Sequence, residues 1–164
     1  MNTSPNITVL VENTARKPGL LGEHGLAYWI ETKTHRVLFD TGPGQTLTSN
    51  TRQLQLNLAD ADAIVLSHGH YDHTGGLRHA FTVASKAKLF LHPQALIRRY
   101  SGSNGQRREI GLASITESDL RQEESRLVWT TQPTEIVPGI FATGEIPRLT
   151  PFENTGGDFF LDAS

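Results

Sequence analysis

Apolar and polar positions along the chain form a run of short strands that later alternates with helices. Ile7-Thr8-Val9-Leu10-Val11 is β-branched and apolar, which predicts a buried strand. Residues 13–25 contain Pro18, Gly19 and Gly22 and predict a loop. Residues 26–32 and 36–39 predict two further strands, joined as a hairpin by the polar Lys33-Thr34-His35. The second of these runs into Asp40-Thr41-Gly42-Pro43-Gly44, a loop with two glycines and a proline. Leucines at 47, 54 and 58 with polar residues between them predict an amphipathic helix over 47–58.

Residues 63–66 (Ala-Ile-Val-Leu) carry no polar interruption and predict a central strand covered on both faces. Thr74 as an N-cap predicts a helix from there to about residue 84. A strand over 88–91 follows, and Pro93 at a first helical position predicts a helix to about residue 100. Residues 101–105 predict a loop, and Thr116 with Asp119 predicts the cap of a short helix ending near 124. Strands are predicted over 127–130, 135–137 and 140–143. No repeat or linker divides residues 1–164, so one domain of α/β (α+β) layers is expected.

Composition narrows the function classes. A chain of 164 residues suits one domain, and 37% hydrophobic with 20% charged residues is ordinary for a globular protein. A net charge of -2 provides no basic field for nucleic acid. The absence of cysteine excludes disulfides, thiolate nucleophiles and cysteine metal sites. No apolar run approaches the ~20 residues of a membrane span, and Met1-Asn2-Thr3-Ser4-Pro5 lacks the basic and apolar regions of a secretory signal. A cytoplasmic protein is the expectation.

Three of the seven histidines lie in one six-residue window, where His68, His70, Asp72 and His73 form H-x-H-x-D-H at the end of the predicted central strand. With seven His and seven Asp in the chain, the pattern arises by chance about 5 times in ten thousand, which points to selected chemistry. Three protonated imidazoles this close would repel, and buried unpaired ones cost several kcal/mol. A divalent cation removes both problems by taking neutral imidazole nitrogens. Residues i and i+2 of an extended segment share a face, so His68 and His70 can grip one ion. Asp72 and His73 lie further on and can face a second.

Ser67-His68-Gly69-His70-Tyr71-Asp72-His73-Thr74-Gly75-Gly76-Leu77 resembles the signature of the metallo-β-lactamase superfamily, and Leu38-Phe39-Asp40-Thr41-Gly42 resembles its strand-terminal aspartate motif. Val9 to Thr14, Glu23-His24-Gly25-Leu26 and Thr143 to Arg148 are similar to the dihydropterin-aminobenzene ribofuranosyl phosphate synthase-like group. The resemblance implies an αββα sandwich and a dinuclear site, usually zinc, with magnesium, manganese or iron as alternatives. His68 and His70 would bind the first ion, and Asp72 and His73 the second. Asp40 would orient a ligand histidine. A metal-activated water would attack a carbonyl or phosphoryl centre, with Asp72 holding it by hydrogen bond.

A helix beginning at Thr74 would place its positive end beside the metals and favour an anionic substrate, and the resemblance implies a small metabolite, phosphorylated or pterin-like. Gly75 and Gly76 serve either close backbone approach or tight packing. Asn13, Glu23 and Arg148 are the remaining candidate substrate contacts. Arg98-Arg99 and Arg107-Arg108 read as solvated faces. After His73 only His79 and His92 remain, and neither matches the family's later ligand positions. The chain therefore reads as the N-terminal half of the fold, C-terminally incomplete, with self-association or a missing half to complete it. Two functions follow, a metal-dependent hydrolase and a non-catalytic truncated remnant or interaction half-domain with a weak, incomplete metal site.

Overall fold

The computed structural model describes residues 4–103, 106–112, 114–152 and 158–162. Its elements in chain order are β1 (Asn6–Val11), β2 (Ala27–Glu31), β3 (Arg36–Phe39), α1 (Leu47–Gln53), β4 (Ala63–Val65), α2 (Tyr71–Thr74), α3 (Leu77–Val83), β5 (Lys88–Leu91), β6 (Tyr100–Ser103), β7 (Gln106–Glu109), α4 (Glu117–Gln122), β8 (Leu127–Trp129), β9 (Thr134–Val137), β10 (Ile140–Ala142) and β11 (Phe159–Phe160). The main sheet has the order β1-β2-β3-β4-β5-β8. Its first three strands are antiparallel, and from β3 onward the strands run parallel.

Pleating sorts the strand residues between two apolar layers. Trp29, Leu38, Ile64, Leu89 and Leu91 pack with Leu47, Leu77, Phe81 and Leu120 from the helices. Val37, Ala63, Val65 and Phe90 face the other way, onto Ile136 and Val137 of the β9–β10 hairpin. All three β4 residues are buried, as their uninterrupted apolar run predicts.

The parallel strands share a register, Phe39 beside Val65 and Val65 beside Phe90, so their carboxyl ends are level. Asp40, Ser67 and His92 therefore line up along one edge, where open α/β sheets place their ligands.

Three predicted helices are shorter or differently placed. The 47–58 helix ends at Gln53, because Gln55 takes a left-handed φ of +57°, and a 3-10 turn at Leu58–Asp60 follows. The helix expected from Thr74 begins at Tyr71 and is broken at Gly75 and Gly76 into α2 and α3. The helix from Pro93 is one 3-10 turn, Pro93–Leu96, capped by His92 Nδ1 accepting from the Gln94 N–H. The expected 101–105 loop instead contributes to β6, which pairs with β7 and β11; residues 104 and 105 lie outside the described residues. The capping box of α4 forms as expected, with Thr116 and Asp119 bonding reciprocally.

The loop between β1 and β2 is pinned by Asn50 on α1. Its Nδ2 donates to the carbonyls of Leu10 (2.7 Å) and Leu21 (2.8 Å), and its Oδ1 accepts from Leu21 N–H (2.9 Å). The side chain is only 2% exposed, so removing it leaves three backbone groups short of a partner. Asn50→Ala is expected to destabilise the chain by about 2–4 kcal/mol, read as a lower urea midpoint at unchanged slope. A midpoint within error of wild type would show that water replaces these bonds at no cost.

Candidate metal centre

Four loops meet at the carboxyl edge of the sheet. Asp40 ends β3 with φ +56°, a left-handed conformation that Asp tolerates better than most residues. Its side chain is fully buried. Oδ1 accepts from Ser67 N–H (2.8 Å), and Oδ2 accepts from Ser67 Oγ–H (2.7 Å) and His73 Nδ1–H (2.8 Å). Because the Ser67 hydroxyl proton points to Asp40, the 2.8 Å contact between Ser67 Oγ and His68 Nδ1 has the imidazole as donor. Hydrogen accounting thus turns the Nε2 atoms of both His68 and His73 away from the carboxylate.

The imidazoles are close. The His68 ring centroid lies 4.6 Å from that of His70 and 4.2 Å from that of His73. Burial, followed by the neighbouring histidines, holds His68 below the ordinary histidine range; burial is also the main cause for His70. Both rings are therefore neutral near pH 7, the state a metal requires. His73 is raised instead, chiefly by its hydrogen bond to Asp40. Asp72 Oδ2 sits 3.6 Å from His73 Nε2 and 3.4 Å from His24 Nε2.

Neighbouring backbone holds these side chains together. Leu26 N–H donates to the Asp72 carbonyl, and both Thr41 N–H and Thr41 Oγ–H donate to the His73 carbonyl. Gly25, at φ +149°, allows the first contact, since a Cβ there would fall 2.2 Å from the Asp72 oxygen. Among the described residues, no three His, Cys, Asp or Glu side chains are placed to hold a metal ion together. The donor chemistry still suits a divalent cation, with two neutral imidazoles, a third fixed through Nδ1, and a carboxylate beside them. The ligand set is open.

A profile of the metallo-β-lactamase superfamily matches residues 21–150, most of the chain. This chain belongs to that superfamily. It is 32% identical to an uncharacterised protein of Methanocaldococcus jannaschii over 90% of this chain and 56% of the relative. It is 33% identical to the 7,8-dihydropterin-6-methyl-4-(beta-D-ribofuranosyl)-aminobenzene-5'-phosphate synthase of the same organism, over 76% of this chain and 44% of the relative. A solved metallo-β-lactamase from Novosphingobium pentaromativorans shares 21% identity and a TM-score of 0.46, covering 68% of this chain and 41% of that one. The chain spans about half the length of the curated relatives it matches.

For a member of this superfamily, the expected residues divide clearly. His68, His70, Asp72, His73 and Asp40 come together. Asn13 reaches the same edge through His24, whose Nδ1 lies 3.2 Å from Asn13 Oδ1. Arg148 is exposed and lines a cavity of about 850 Å³ that Ser67 and His92 also border. Glu23 does something else, since its Oε1 accepts from Thr46 N–H and Oγ–H at the start of α1.

Gly75 and Gly76 serve packing, because a Cβ would fall 2.2 Å from the Pro43 carbonyl oxygen at the first and 2.6 Å from that of Thr41 at the second. The expected helix N-terminus also falls away. α2 has only four residues, and the Tyr71 N–H is taken by the Ile110 carbonyl. His79 is exposed on α3.

Sequence reasoning gave no role to His24 or Ser67. Both lie inside motifs that carry the family resemblance, His24 in Glu23-His24-Gly25-Leu26 and Ser67 at the start of the histidine segment.

The raised His73 sets a pH dependence. Its pairing with Asp40 stabilises the metal-free fold in full below the ordinary histidine value of 6.5, and the contribution fades as pH rises through the elevated folded value. Asp40→Asn, which the left-handed backbone tolerates, is expected to lower the His73 midpoint in an NMR titration of chelator-treated protein. It should also flatten the fall in thermal stability above pH 6.5. An unmoved midpoint would mean that Asp40 does not hold the ring.

Proposed function

We propose that this protein is a cytoplasmic, metal-dependent hydrolase acting on a small anionic metabolite, phosphorylated or pterin-like. The observation that carries this is the buried Asp40, which sets the proton positions of His68 and His73 beside the neutral His70. His68 and His70 would hold one divalent ion, and Asp72 with His73 a second. Superfamily members generally bind divalent metals, typically zinc. Such an ion supplies Lewis acidity, polarising the substrate and acidifying water at neutral pH.

The chain's own residues prepare that chemistry. Asp40 keeps the His73 ring oriented and its Nδ1 protonated. Asp72, with a side chain only 15% exposed, lies beside His73 and His24, where it can accept a proton from an attacking water. The cavity of about 850 Å³ has apolar walls of Phe39, Val65, Ile136 and Phe141, which suit the body of an organic substrate. Its polar border of Ser67, His92, Glu145 and Arg148 suits oriented binding.

The open ligand set favours a second reading, a binding module with a weak metal site and no turnover. Further ligands from a longer chain or from a second copy would close it. Metal content and turnover distinguish the two. The hydrolase is expected to retain at least one zinc per chain through dialysis and to hydrolyse a generic phosphodiester. A chelator should abolish this activity and zinc restore it. His70→Ala should lower activity on the order of 100-fold. Zinc lost on mild dialysis, with no turnover in any metal, would leave the binding module.

A further inference from the structure

Beside the histidine pair lies a cleft of about 200 Å³ lined by His68, His70, His92, Gln94 and Arg99. Arg99 is half-buried, and neutral groups hold its guanidinium. Nη1 donates to the carbonyls of Ile97 and Arg98 (both 3.4 Å), and Nη2 to that of Gln94 (3.3 Å). Carbonyls orient a guanidinium without cancelling its charge. Among the described residues, no carboxylate lies within ion-pair distance of Arg99. Its neighbour Arg98 is compensated by Glu109, Arg107 by Asp162, and Arg108 is turned onto the Tyr71 hydroxyl.

The position of this charge is built in. Gly69 packs so tightly against the 3-10 turn that a Cβ would fall 2.2 Å from the Ala95 carbonyl oxygen. The loop carrying His68 and His70 therefore rests directly on the turn that leads to Arg99. Glu145 borders the neighbouring cavity, but His92 Nε2–H donates to it at 3.0 Å, with His92 Nδ1 already accepting from the Gln94 N–H. Among the described residues, the cleft thus presents a fixed cation with no paired carboxylate and with N–H groups beyond those given to the three carbonyls, in a planar fork that matches an oxyanion.

We propose that Arg99 is a specificity-determining residue that anchors an oxyanion of the substrate, phosphoryl or carboxylate, beside His68 and His70. This rests on the hydrolase reading for the identity of the ligand as substrate, but the anion site stands on its own geometry. It reassigns Arg99 from the solvated face its sequence context predicts.

The test is binding of inorganic phosphate, and separately acetate, to the whole chain, with and without zinc. Calorimetry or phosphorus NMR reads the affinity, and bound zinc is measured in the same samples. Metal-free wild type is expected to bind one of the two anions saturably. Arg99→Gln should weaken that binding about tenfold or more, Arg99→Lys should give an intermediate loss, and Arg98→Gln should leave it unchanged. Thermal unfolding confirms that each variant is folded. Whichever anion shows the Arg99 dependence identifies the group.

The absence of saturable binding to wild type would overturn the proposal. So would equal affinity in Arg99→Gln, or an equal loss in Arg98→Gln. Arg99-dependent binding in a chain that retains no zinc would sustain the anion site and sink the hydrolase. Retained zinc with Arg99-independent binding would do the reverse.

Discussion

A buried carboxylate accepting three hydrogen bonds organises the functional edge of this protein. Asp40 bonds the backbone and hydroxyl of Ser67 after β4 and the imidazole of His73 on α2. The end of β3 is thereby held to the end of β4 and to α2, 27 and 33 residues further along the chain. Burying a carboxylate is costly unless its oxygens are satisfied, so this arrangement tolerates few alternatives. The chemistry of the histidines depends on it. Asp40 accepts from the Ser67 hydroxyl, Ser67 Oγ then accepts from His68 Nδ1–H, and His73 donates through Nδ1, so two imidazole tautomers are set by one acceptor.

Backbone contacts keep the loops that carry these groups in place. Gly25 lies on the Asp72 carbonyl, Gly75 on that of Pro43 and Gly69 on that of Ala95, each closer than any side chain would allow. Each contact brings a loop from a different strand end onto the motif segment. The level register of β3, β4 and β5 supplies the row of anchor points. Two concave features border the same row. The large cavity and the small Arg99 cleft share Ser67, His92 and Gln94 in their walls.

Much of the fold was legible in local sequence. Residues 88–91 and 36–39 form strands as predicted, because short apolar runs bounded by turn residues have few alternatives. The α4 cap was legible for the same reason, since Thr116 and Asp119 interact within one turn. The start of α2 was not. Thr74 is a good capping residue, but its hydroxyl donates to the His70 carbonyl inside the helix instead. Ser-Gly-Ser in β6 has no apolar pattern and predicts a loop, and only pairing with β7 and β11 makes it a strand.

The sequence by itself determined the donor set. Three imidazoles and a carboxylate in six residues carry their chemistry in their identities and spacing, and the superfamily follows from them. Tertiary structure alone decided which groups surround that set. It placed His24 against Asp72, moved Glu23 to Thr46, and closed Gly75 and Gly76 against their neighbours. It also set the Arg99 guanidinium in the cleft beside His70, with no carboxylate within ion-pair distance among the described residues. These outcomes depend on contacts between residues tens of positions apart, and no local pattern of hydrophobicity or spacing encodes them.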